Sequence, residues 1–151
     1  MKTYSVSEIA EKIGRPDEDM RVVGDRIRNW TREGLLEPVG VKNPGTGRSR
    51  LYPETALLDA LVLTAITEAV GLQAVKVHMF QRDVFAEVRE FSKQQFKSKS
   101  KTLLVISRSL TSGTYVALTH PVGLANLIEN TKSDGHIVIN LGRLTEKLKK
   151  E

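Results

Sequence analysis

The chain has 151 residues and a mass of 16.8 kDa, with 40% hydrophobic and 27% charged residues, so it holds enough for one domain or two small modules. That excludes a large multidomain enzyme, and the ordinary apolar fraction excludes wholesale disorder. The absence of cysteine removes disulfide frameworks, thiolate-ligated zinc or iron-sulfur sites and thiol nucleophiles, and it fits a reducing cytoplasmic setting. The longest apolar runs, such as residues 60–63, fall far short of the roughly 20 residues that span a bilayer, and the N-terminus has no signal-peptide pattern. A soluble protein with no membrane partner is therefore expected.

Charge is the first functional clue. Lys and Arg number 23 against 18 Asp and Glu, a net charge of +5. Residues 21–52 carry seven basic and three acidic side chains (+4), residues 93–151 carry ten and four (+6), and the remainder carries six and eleven (−5). Two basic regions separated by acidic ones point to a localised anionic partner, against the plainer alternative of a solvated surface.

In chain order, Ser7 is placed to cap a short helix that buries Ile9, Ala10 and Ile13 and stops at Gly14. Pro16 and Asp17 read as a second helix start, after which Met20, Val23, Ile27 and Trp30 recur at steps of three and four and so share one face. Gly34 closes that helix, and Leu35 and Leu36 continue into the core. From residue 37 to 52, Pro38, Gly40, Asn43-Pro44-Gly45 and Gly47 interleave with Val39, Val41 and Leu51, the pattern of a β-hairpin with a flexible tip. Pro53-Glu54 opens a further helix whose broad stripe is Leu57, Leu58, Leu61, Val62, Ala65 and Ile66, and Gly71 interrupts it.

Residues 73–96 read as a long helix with Val77, Phe80, Val84, Val88 and Phe91 on one apolar seam. At 1.5 Å per residue it is about 36 Å long, too long for a small domain to cover, so the seam wants a partner helix. Lys97-Ser98-Lys99-Ser100-Lys101 reads as a solvated linker. Beyond it, residues 102–106, 114–118 and 136–140 have the β-branched composition of strands, residues 121–130 form a helix with Pro121 in its first turn, and residues 141–150 a basic amphipathic helix. The expected fold class is α+β, mainly helical, divided as residues 1–72, 73–101 and 102–151.

The chemistry concentrates where a helix with Arg26, Arg28 and Arg32 precedes a glycine-rich segment with Lys42, Arg48 and Arg50. A helix of this kind fits the DNA major groove, and a hairpin beside it can track the neighbouring backbone: a helix-turn-helix with a wing. Arg28 and Arg32 lie one turn apart on one face. Arg26 and Arg32 can instead pair with Asp25 and Glu33, and Trp30 suits the core or its margin better than a base contact. Gly45-Thr46-Gly47 is a wing turn rather than a phosphate cradle, since no parallel strand precedes it. His78, His120 and His136 are too scattered for a metal signature, and no catalytic spacing is present, so neither metal, cofactor nor enzymatic activity is expected.

Three blocks, residues 4–10 (Tyr4-Ser-Val-Ser-Glu-Ile-Ala10), 27–38 (Ile27-Arg-Asn-Trp-Thr-Arg-Glu-Gly-Leu-Leu-Glu-Pro38) and 47–52 (Gly47-Arg-Ser-Arg-Leu-Tyr52), resemble in order and chemistry the MerR family of winged helix-turn-helix regulators. The resemblance covers about residues 4–92, including the long helix, where the family has a dimerising helix. It maps Arg28 and Trp30 to the recognition-helix motif and Arg50 and Tyr52 to the wing motif, with Asn29 where the family has its first aromatic. Gly14 to Arg28 is longer than the family spacing, which leaves a helix extended backward or an extra loop, and the wing is longer too. The resemblance implies a homodimer paired through Val77, Phe80, Val84, Val88 and Phe91. Its partner would be an inverted-repeat double-stranded operator met by Arg26, Arg28, Trp30, Arg32, Lys42, Arg48, Arg50 and Tyr52. The resemblance also implies RNA polymerase as a further partner, because MerR-like proteins typically distort promoter DNA for it. The alternative is an architectural or accessory DNA-binding or protein-interaction module, phage or chromosome-associated, without effector sensing.

Overall fold

The computed structural model describes residues 1–41, 45–70, 86, 89–90, 93–94, 102–109, 113–131 and 133–149. They form an α+β fold with two small antiparallel sheets. The chain divides into two compact units, Met1–Thr64 and Ala65–Glu151.

The first unit opens with strand β1 (Thr3–Ser5), followed by helices α1 (Val6–Ile13) and α2 (Met20–Arg32), strand β2 (Leu51–Pro53) and helix α3 (Glu54–Val70), whose last turns belong to the second unit. The cap of α1 is Ser5 rather than the expected Ser7. Its hydroxyl accepts from the Glu8 N–H while the Glu8 carboxylate accepts from the Ser5 N–H, a reciprocal capping box that Ser7, followed three residues on by Ala10, cannot make. Likewise α2 starts at Met20 and not at Pro16, because Asp19 accepts from the Arg21 N–H at 2.8 Å. Residues 14–19 are thus a loop ahead of α2, which decides between the two readings of the long spacing to Arg28.

Periodicity places the core as expected. Ile9, Ala10 and Ile13 of α1 and Val23, Ile27 and Trp30 of α2 are buried, whereas Met20 is exposed at the helix start. Full burial of side chains of this size contributes about 1.5 to 3 kcal/mol each. After α2 the backbone turns at Gly34 with φ 78°, a left-handed conformation that glycine adopts without a Cβ clash. The Leu35 N–H then bonds the Trp30 carbonyl at 2.8 Å, returning Leu35 and Leu36 to the core. Leu57, Leu58, Leu61, Val62 and Ile66 of α3 are buried, while Ala65 is half-buried.

The hairpin expected over residues 37–52 is not formed by the described residues. Strand β2 pairs instead with β1, in the register Thr3↔Pro53, Tyr4↔Tyr52 and Ser5↔Leu51. Val39 N–H to Leu51 carbonyl, at 2.7 Å, is the cross-link recorded between the two legs. Gly40, Gly45 and Gly47 all have φ between 75° and 87°, which breaks an extended ladder. Val39, Val41 and Leu51 are exposed, so no buried face fixes a hairpin register.

In the second unit, strands β3 (Leu103–Ser109), β4 (Gly113–Thr119) and β5 (Gly135–Asn140) match the three expected strands and form a sheet in the order β4-β3-β5. Both pairings are antiparallel, with Leu104 opposite Leu118 and Ile139. Central strand β3 buries Leu104, Val105, Ile106 and Ser107 in succession, so both of its faces are covered. Between β4 and β5 the chain forms one 3-10 turn (Pro121–Gly123) and helix α4 (Leu124–Asn130), and helix α5 (Leu141–Lys149) follows β5. Ala86, Arg89, Glu90, Lys93 and Gln94 are helical, as expected for the long helix. The seam residues Val77, Phe80, Val84, Val88 and Phe91 lie outside the described residues.

Candidate nucleic-acid interface

The capping box fixes the start of α1, and Ser7 stands exposed in its first turn. The Ser5 N–H and hydroxyl hold the Glu8 carboxylate below its ordinary range, since both hydrogen bonds favour the charged form. Between α1 and α2, the Arg15 N–H donates to the Glu18 carboxylate at 3.3 Å and the Glu18 N–H to the Arg15 carbonyl at 3.0 Å, forming a tight turn. Arg26 of α2 reaches back to the same carboxylate, and the two side chains are only 13% and 11% exposed. Burial pushes the Glu18 carboxyl up, but the Arg26 hydrogen bond and charge, with the Arg15 N–H, bring it below its usual value. Arg26 is therefore a clamp between loop and helix. This corrects its assignment to the DNA-facing set and its expected pairing with Asp25.

Two further candidates leave that set for the same reason. Trp30 is 2% exposed and Tyr52 is fully buried. The Thr31 hydroxyl donates to the Ile27 carbonyl at 2.9 Å, so the Tyr52 phenol is the donor in its 2.7 Å bond to Thr31. Pairing with Tyr4 across the β1-β2 ladder carries Tyr52 inward. Both aromatics hold the helix in place; neither can touch a groove.

The exposed polar and charged residues of α2 form a single stripe, Arg21, Asp25, Arg28 and Arg32, at successive spacings of four, three and four residues, with the exposed Met20 and Val22 beside its start. The Arg28 Nη1 donates to Asp25 Oδ1 at 2.7 Å, and Arg32 donates to the Asn29 side chain rather than pairing with Glu33. Arg48 is exposed and Arg50 half-exposed on the loop leading into β2, and Lys42 lies outside the described residues.

These elements meet around an open cleft of about 640 Å³. Ser5, Val6 and Ser7 supply one wall, Arg28 of α2 another, and the loop from Gly45 to Arg50 the third through Thr46, Arg48, Ser49 and Arg50. A second cleft of about 560 Å³ runs between α1 and α2 past Arg21, Asp25 and Gly24, and it shares Val6, Ser7 and Arg28 with the first. Three arginines, three serines, Thr46 and the first turn of a helix thus line one concavity, an arrangement suited to an anion. Ser5, Thr46 and Ser49 were not singled out from sequence, and Ser7 only as a helix cap; the Ser5-x-x-Glu8 spacing was a readable signal for the first of them.

In the second unit the Ser107 hydroxyl contacts His136 Nδ1 at 2.8 Å, and His120 is exposed at the start of the 3-10 turn. Among the described residues no group of three or more His, Cys, Asp or Glu is arranged to hold a metal ion. No described helix is long and apolar enough to cross a membrane. No family model and no curated protein matches this chain.

Proposed function

We propose that this chain is a sequence-specific, double-stranded DNA-binding regulator of winged helix-turn-helix, MerR-like type that acts as a homodimer. The observation that carries this reading is the shared cleft: Arg28 from α2 and Arg48 and Arg50 from the loop after it converge beside the start of α1. In this reading α2 lies in the major groove with Arg28 at a base edge. Arg21 and Arg32 flank it on the same stripe. Residues 45–50 act as the wing, and Arg48 and Arg50 take backbone phosphates. Arg26, Trp30 and Tyr52 support the helix from behind. The apolar seam from Val77 to Phe91 pairs with its twofold mate, which makes the operator an inverted repeat.

An electrophoretic shift assay on genomic fragments at several salt concentrations tests the proposal. A selected fragment should bind, with affinity falling as salt rises because each neutralised phosphate releases counterion. Arg28→Ala with Arg50→Ala should weaken that fragment tenfold or more, on the scale of about 1 to 3 kcal/mol per good base contact. Unchanged binding by the double variant contradicts the proposal.

A further inference from the structure

Asp25 is an acidic residue in the middle of an otherwise basic, exposed stripe. It lies between Arg21 and Arg28, and its carboxylate takes the Arg28 Nη1 at 2.7 Å. Both side chains are open to solvent, at 53% for Arg28 and 71% for Asp25, so this pair adds little to stability. Arg28 lines both clefts, whereas Asp25 lines only the one between α1 and α2. The carboxylate takes Nη1, one of the three guanidinium nitrogens, and the arginine side chain stays open to solvent.

We infer that Asp25 is the selectivity residue of this surface: it holds Arg28 for a neutral guanine edge and withholds it from phosphate. The inference rests on the DNA-binding reading and deepens it. A guanidinium has five donors in a fixed plane, so one can stay on Asp25 while others meet the guanine N7 and O6 acceptors. A phosphate can reach the same donors, but its negative charge then lies near the Asp25 carboxylate and is repelled, a penalty that the uncharged guanine edge does not meet. Asp25 thus lowers the affinity for arbitrary duplex while leaving the guanine contact intact, discrimination by a repulsive element.

The test is fluorescence anisotropy with the full chain, using a selected operator duplex and a random duplex over a salt series. Asp25→Asn keeps the shape and removes the charge. It should tighten random-duplex binding about two- to fivefold, the scale of an exposed ion pair. It should also steepen the random-duplex salt slope by about 0.9, one additional phosphate contact, without steepening the slope on the operator. In an Arg28→Ala background the same substitution should change neither slope. An unchanged slope and unchanged operator-to-random ratio in Asp25→Asn overturn the role of Asp25 alone. An equal gain in the Arg28→Ala background also overturns it, since the charge would then act without Arg28. Absence of operator binding by the unsubstituted chain overturns the DNA reading with it.

Discussion

Arg26 and Arg28 are two residues apart on one helix and do opposite things. Arg28 points to solvent with an exposed partner, while Arg26 is folded onto Glu18 in the loop that precedes α2. Removing Arg26 leaves a largely buried carboxylate without its cation, which should cost about 2 to 3 kcal/mol of stability in urea unfolding. The pair also sets a pH dependence. The Glu18 carboxyl is held below the usual glutamate range in the folded chain, so its contribution is complete above that range and is lost as pH falls through the lowered folded pKa. Unfolding titrations between neutral pH and pH 3 should show this acid-side loss in the parent chain and a smaller loss in Arg26→Ala. At this scale the shared face of Arg28 and Arg32 was legible in sequence because helical spacing fixes which residues lie together, whereas Arg21 was not placed. The role of Arg26 was not legible, because its partner lies eight residues away across a turn whose path is set by tertiary contact. Tyr52 shows the same limit: its place beside Arg50 was readable, but its burial depends on pairing with Tyr4, nearly fifty positions earlier.

At the level of elements, caps and glycines decided most boundaries. Ser5 and Glu8 form the start of α1, and the same start presents Val6 and Ser7 to both clefts. Ser5→Ala should therefore cost about 1 kcal/mol in thermal or urea unfolding, the usual loss for an N-cap hydroxyl. If the first turn of α1 is part of the binding surface, the variant should also weaken DNA binding at temperatures where it is fully folded. The helices and the three strands of the second unit were readable because apolar periodicity and β-branched runs persist over whole elements. The segment from residue 37 to 50 was not. Its glycines suggested a hairpin turn, but three of them at positive φ make an irregular loop, and strand pairing went to the chain's first residues. A two-residue slip or a distant partner leaves no local trace when the alternating face is exposed.

For the whole molecule, charge and fold can be taken unit by unit. The basic excess of residues 21–52 falls on the first unit, where Arg21, Arg28, Arg48 and Arg50 line the two clefts and Arg32 is exposed one turn beyond Arg28 on α2. The larger excess of residues 93–151 falls in the second unit, which carries the three-stranded sheet and the terminal basic helix α5. The central claim is that the first unit reads duplex sequence and that two copies do so together. Selection of bound duplexes from a randomised pool by the full-length chain, at near-physiological salt, tests it most directly. The account predicts an enriched inverted repeat whose half-sites contain a guanine, with the preference at that guanine relaxed in Arg28→Ala. A pool that emerges without any enriched sequence, or with one that Arg28→Ala selects equally well, contradicts it.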